Sequence, residues 1–124
     1  MYMKKLDRQV ICTYDEPVAE TKYGKLRGVK VDSTFIFRGV KYADAKRFQP
    51  PIEVQPWDGT KEAFQFGHVC CELNTPIPHD QFTVPHFFYP QNENCQYLNI
   101  WTQSLNKTAK RPVMVWAHGG GWFS

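Results

Sequence analysis

The sequence predicts an α/β protein that is mostly β in these residues: an antiparallel hairpin, the first strands of a central sheet, and a long loop rich in proline and aromatic side chains. Three observations lead there. Residues 25–31 alternate apolar and polar side chains with a period of two, as half-buried strands do, and residues 34–40 are rich in β-branched and aromatic side chains. Residues 112–117 are continuously apolar, the pattern of a central strand covered on both faces, and they run into three consecutive glycines. Most of the nine prolines gather between residues 48 and 95, where regular structure cannot extend far.

Along the chain, residues 10–47 read as antiparallel β structure. Lys25 to Val31 forms one run and Thr34 to Val40, rich in β-branched and aromatic residues, forms the next. Asp32-Ser33 between them supplies a turn, so a hairpin is expected. Gly39 inside the second run suggests a bulge or a close backbone approach. From 48 to 95 loops dominate, with one or two helical turns expected over Gly59 to Phe66. A loop of this length in a compact domain is usually functional. Its aromatics, among them Trp57, Phe64, Phe66, Phe82, Phe87, Phe88 and Tyr89, ask for a surface to pack on. Gln96 to Thr102 alternates again. After a polar connection, residues 113–118 should form a strand that shares a sheet with 96–102.

Composition narrows the function classes. Hydrophobic residues make up 42% and charged residues 22%, which excludes a disordered chain. Residues 1–47 hold eleven Lys/Arg against six Asp/Glu, whereas the remainder is slightly acidic. The positive residues interleave with acidic and strand-like apolar ones, as on a solvated sheet face, so nucleic acid is not an expected partner. No apolar stretch has the length of a membrane span or a secretory h-region; no membrane association is expected, and the cytoplasm is the expected location. Nothing in the sequence sets an oligomeric state. The cysteines, Cys12, Cys70, Cys71 and Cys95, lack a C-x-x-C pair. Buried thiols are favoured over a metal site, although His68, His79 and His86 lie in the same half.

The segment His118-Gly119-Gly120-Gly121 carries the chemistry. Glycine lets a backbone approach a ligand closely. A glycine run at the carboxyl end of a central strand sits where α/β folds bind ligands. Successive N–H groups there can hold a developing negative charge. A plain glycine-rich turn is the alternative.

The surrounding residues decide between them. Arg111-Pro112-Val113-Met114-Val115-Trp116-Ala117-His118-Gly119-Gly120-Gly121-Trp122 resembles the strand and oxyanion loop of the type B carboxylesterase family. Glu93-Asn94-Cys95-Gln96-Tyr97-Leu98-Asn99-Ile100-Trp101-Thr102 is similar to its acidic-Cys-Leu-Tyr-Leu-Asn signature, with Asn94 for the usual Asp and Gln96 for the usual Leu. Phe37-Arg38-Gly39-Val40-Lys41-Tyr42-Ala43 resembles an early family segment, with Lys41 where Pro is usual. Arg47-Phe48, Trp57-Asp58-Gly59 and Phe66-Gly67-His68-Val69-Cys70 are further landmarks in the family's order. The resemblance covers residues 18 to 124.

The resemblance implies that residues 1–124 are the N-terminal part of a single, incomplete α/β-hydrolase domain. The full enzyme would be a serine hydrolase of small-molecule carboxylic esters, needing no cofactor and no metal. The N–H groups of Gly120 and Gly121 would form the oxyanion hole, with Gly119 and His118 shaping the loop. It further implies that Cys70 and Cys95 form a disulfide or a close thiol pair; a bond there would stabilise the fold by about 3.5 kcal/mol in the loop-entropy account. The serines, Ser33, Ser104 and Ser124, include none in a G-x-S-x-G setting, so neither nucleophile nor base is in this chain and it should be inactive alone. A truncated or degenerate member acting as an interaction module, or without function, is the competing reading. A lipase of the hormone-sensitive type shares the glycine loop but leaves the Cys95–Trp101 segment unexplained.

Overall fold

A computed structural model of the chain describes residues 7–71 and 90–119. It contains, in chain order, β1 (Val10–Ile11), β2 (Val18–Glu20), β3 (Lys25–Arg27), β4 (Val29–Val31), β5 (Thr34–Lys41), β6 (Ala43–Asp44), β7 (Ile52–Glu53), β8 (Thr60–Glu62) and β9 (Tyr97–Thr102). No helix occurs among the described residues.

The expected hairpin is formed by β4 and β5, antiparallel, with Val29 opposite Ile36 and Val31 opposite Thr34. Asp32 at the turn adopts a φ of 53°, which Asp tolerates better than most residues. Its carboxylate accepts the Gln9 N–H at 3.0 Å, and its own N–H donates to the Gln9 carbonyl at 2.8 Å. The turn thereby anchors the segment leading into β1, which lies beside β4. The four-stranded sheet runs β1-β4-β5-β9, antiparallel throughout.

Gly39 forms the anticipated bulge. The β5–β9 register passes from Phe37 opposite Ile100 to Val40 opposite Leu98, so Arg38 and Gly39 together face Asn99. Gly39 has φ +64°, and a Cβ there would stand 2.5 Å from the Gln65 carbonyl oxygen. Both the bend and the close approach therefore require glycine.

Three expectations are corrected. The run 25–31 is not one strand: it breaks at Gly28, with β3 pairing to β2 and β8 while β4 joins the other sheet. A side chain at Gly28 would meet the Ile36 carbonyl oxygen at 2.4 Å, so the two sheets meet where only glycine fits. Residues 60–62 are a strand and not helical turns. β8 runs parallel to β3, Leu26 opposite Lys61, because that edge offers a ladder which local propensity could not reveal. Residues 113–118 form no ladder, and β9 pairs instead with β5. The connection before them closes on itself: Asn106 Oδ1 accepts from Thr108 N–H and Oγ1–H at 2.9 and 2.8 Å, and Arg111 reaches Gln103 at 3.1 Å. The chain consequently does not return along β9.

Between the sheets lies a small core of Leu26, Phe37 and Ala63, flanked by Ala19, Phe35, Val40, Trp57 and Leu105. The Trp57 ring lies against Gly24 and its N–H donates to the Lys25 carbonyl at 3.2 Å, which accounts for the Trp57-Asp58-Gly59 landmark.

Candidate functional site

The glycine loop is reached through residues 112–117, which are extended and exposed. His118 Nδ1–H points to the Gly119 carbonyl oxygen at 2.7 Å, a contact within the loop itself. No other titratable side chain among the described residues hydrogen-bonds to His118, so the structure does not present it as half of a catalytic pair. The space where a Gly119 Cβ would stand is empty to 4 Å. Gly120 and Gly121 lie outside the described residues.

A second group of residues gathers where the aromatic-rich loop begins and ends. Val69 N–H donates to the Pro90 carbonyl at 3.1 Å, and Asn92 N–H to the Val69 carbonyl at 3.0 Å. These bonds make a bridge between Val69 and Gln91 that closes the loop at its base. Arg47 clamps the same base through a 2.6 Å ion pair with Glu93. That carboxylate raises the Arg47 pKa further, with the Cys71 thiol a minor contributor. Cys70 and Cys71 are exposed and Cys95 is half-buried, while Cys12 is exposed. The expectation of buried thiols is thus corrected: the cysteines sit at a loop base and on a surface segment, not in the core. Among the described residues no group of three His, Cys, Asp or Glu side chains is placed to hold a metal ion.

Two residues that the sequence marks only as parts of longer family segments hold this region together. Asn99 Oδ1 accepts the Gly39 N–H at 2.9 Å, satisfying the donor that the bulge removes from the ladder. An Asn within an alternating strand, opposite a glycine, was the available signal. Arg47 could have been found from the pairing of a lone Arg-Phe with a later acidic signature, but only by assuming that the two meet. The substituted residues are accommodated unequally. Lys41 forms an ion pair with Asp44. Gln96 Nε2–H reaches the Glu93 carbonyl at 3.4 Å, yet Asn94 Oδ1 and Gln96 Oε1 are buried without hydrogen bonds.

Comparison with known proteins gives consistent matches. A family model described as the carboxylesterase family matches residues 15–124. Gut esterase 1 of Caenorhabditis elegans is 33% identical over 110 residues, covering 86% of this chain and 18% of that protein. Phenmedipham hydrolase of Pseudarthrobacter oxydans is 34% identical over 113 residues, covering 85% and 22%. A solved esterase from Clostridium hathewayi, described as able to hydrolyze aliphatic aromatic polyesters, superimposes with a TM-score of 0.80 at 51% identity. The superposition covers 91% of this chain and 22% of that one. The chain thus spans about a fifth of the length of each of these three proteins.

Proposed function

Because the chain belongs to the type B carboxylesterase family, we propose that residues 1–124 are the N-terminal part of one α/β-hydrolase domain whose complete form hydrolyses small carboxylic esters. The observation that carries this reading is the family match running through residue 124, which includes His118-Gly119-Gly120-Gly121 directly after the apolar segment 112–117.

In that reaction a serine outside these residues attacks the ester carbonyl, with its proton taken by a histidine that a carboxylate orients. The carbonyl oxygen becomes an oxyanion. Fixed N–H donors stabilise it without reorganising, each worth about 3–4 kcal/mol of barrier. The Gly120 and Gly121 N–H groups take that part here. The His118 contact to the Gly119 carbonyl turns that oxygen toward the imidazole, which supports a loop-shaping role for both residues. In the same reading Cys70 and Cys95 close the aromatic-rich loop, as a disulfide or as neighbouring thiols. The Val69–Gln91 bridge supports this by joining the chain segments that carry them.

The test compares the 124 residues alone with a complete enzyme that carries them, on p-nitrophenyl acetate and p-nitrophenyl benzoate. Turnover by the complete enzyme and none by residues 1–124 is expected. A complete enzyme that folds and hydrolyses neither ester would favour the non-catalytic interaction module instead.

A further inference from the structure

A cleft of about 490 Å³ lies beside the Gly39 bulge, and none of the residues that line it belongs to the glycine loop. Arg38, Glu62, Phe66, His68 and Tyr97 are among the residues that line it. The Arg38 guanidinium stands 5.1 Å over the Phe66 ring. No carboxylate, carbonyl or hydroxyl among the described residues accepts a hydrogen bond from it, and its Nε is buried without a partner. The other wall is equally fixed. The Tyr97 ring packs on Gly67, where a Cβ would come within 2.3 Å, and the His68 ring meets Tyr97 edge-on at 6.3 Å.

We propose that this cleft binds a small aromatic monocarboxylate, its carboxylate held by Arg38 and its ring laid against Tyr97. A planar guanidinium held by stacking on an aromatic face leaves its terminal donors for a planar two-oxygen acceptor. The flat walls suit an aromatic body over an aliphatic one. The charge balance sets the ligand at one negative charge. Glu62 already has its cation, with Arg27 at 2.7 Å, which leaves Arg38 as the unanswered charge among the described residues that line the cleft. A dianion would sit against the Glu62 carboxylate. Arg38 could not be singled out in the sequence, because the bulge at Gly39 decides which way its neighbours face. The proposal does not depend on the ester reading, since every residue it uses is described and none belongs to the glycine loop.

The experiment titrates a complete protein carrying these residues with benzoate, benzamide, acetate and phenyl phosphate, followed by calorimetry and ligand-observed NMR. Saturable benzoate binding is expected, weakened by added salt, with benzamide, acetate and phenyl phosphate each at least tenfold weaker. Arg38→Gln should weaken benzoate at least tenfold and leave benzamide unchanged. Should Arg38→Gln fail to fold, Arg38→Lys, which keeps the charge but loses the planar fork, is expected to weaken benzoate several-fold. Benzamide binding as tightly as benzoate, unchanged benzoate affinity in a folded Arg38 variant, or no saturable benzoate binding would each overturn the proposal.

Discussion

Gly39 is fixed by two constraints at once. Its φ of +64° lies where side chains are strained, and the Gln65 carbonyl occupies the place of a Cβ. Left-handed strain alone costs about 1–3 kcal/mol. Gly39→Ala is therefore expected to destabilise a complete enzyme by at least about 2 kcal/mol in urea unfolding; a variant of unchanged midpoint would show that the bulge relaxes freely. Asn99→Ala removes only the acceptor for the Gly39 N–H, a loss of about 1 kcal/mol. The oxyanion assignment makes a different residue-scale prediction. Gly120→Val should lower kcat about a hundredfold or more on a p-nitrophenyl ester while the melting temperature stays near that of the parent. If the glycines only made a turn, the loss of activity would track the loss of stability. The glycine run is legible in the sequence because it is contiguous. Arg38 is not legible there, and Asn99 and the Arg47–Glu93 clamp leave only partial signals, since each acts through a partner distant in the chain.

At the level of elements, what the sequence reveals depends on how local the pairing is. The β4–β5 hairpin follows from alternation and a two-residue turn, both contained within residues 29–41. β8 is not legible as a strand because its partner, β3, lies far earlier in the chain, and parallel pairing leaves no mark on three residues. Side chains clip that sheet region to its neighbour. Lys22 and the Tyr23 hydroxyl both donate to Glu53 Oε1, at 2.5 and 2.6 Å. These bonds, Lys22 first, hold the Glu53 carboxyl below its ordinary value of 4.5. A depressed carboxyl contributes stability above about pH 4.5 and loses it as pH falls through the depressed value. Because the pair is fully exposed, the contribution is small and screened by salt. Lys22→Met should therefore shift the Glu53 titration back up toward 4.5, measured by carboxyl NMR. A titration that does not move would show that the ion pair is not held in solution.

For the molecule as a whole, the decisive quantity is the apolar surface without cover. Val113, Met114, Val115 and Trp116 are each 84–92% exposed, and Trp101 on β9 is 57% exposed. Single exposed hydrophobics are ordinary, but a run of four is a contiguous patch of the kind that soluble monomers avoid. Against it stand, among the described residues, only five buried apolar side chains, Leu26, Phe37, Ala43, Val54 and Ala63, two of them alanines. Fully burying a side chain of that class is worth about 1.5–3 kcal/mol, while ordering each residue costs about 1–2 kcal/mol, so this core cannot offset the ordering of the surrounding strands by itself. The continuous apolar run at 112–117 has the pattern of a strand covered on both faces, yet in the structure it pairs with no described strand and stands exposed. The 124-residue chain, produced alone, is accordingly expected to bind 8-anilinonaphthalene-1-sulfonate strongly, to associate as its concentration rises, and to melt without a cooperative transition. Trp116→Ser together with Val115→Thr should reduce both dye binding and association, since the patch itself is their source. A monomer with a sharp calorimetric transition and weak dye binding would mean that residues 1–124 carry a self-sufficient core, and the reading of these residues as an incomplete domain would fail with it.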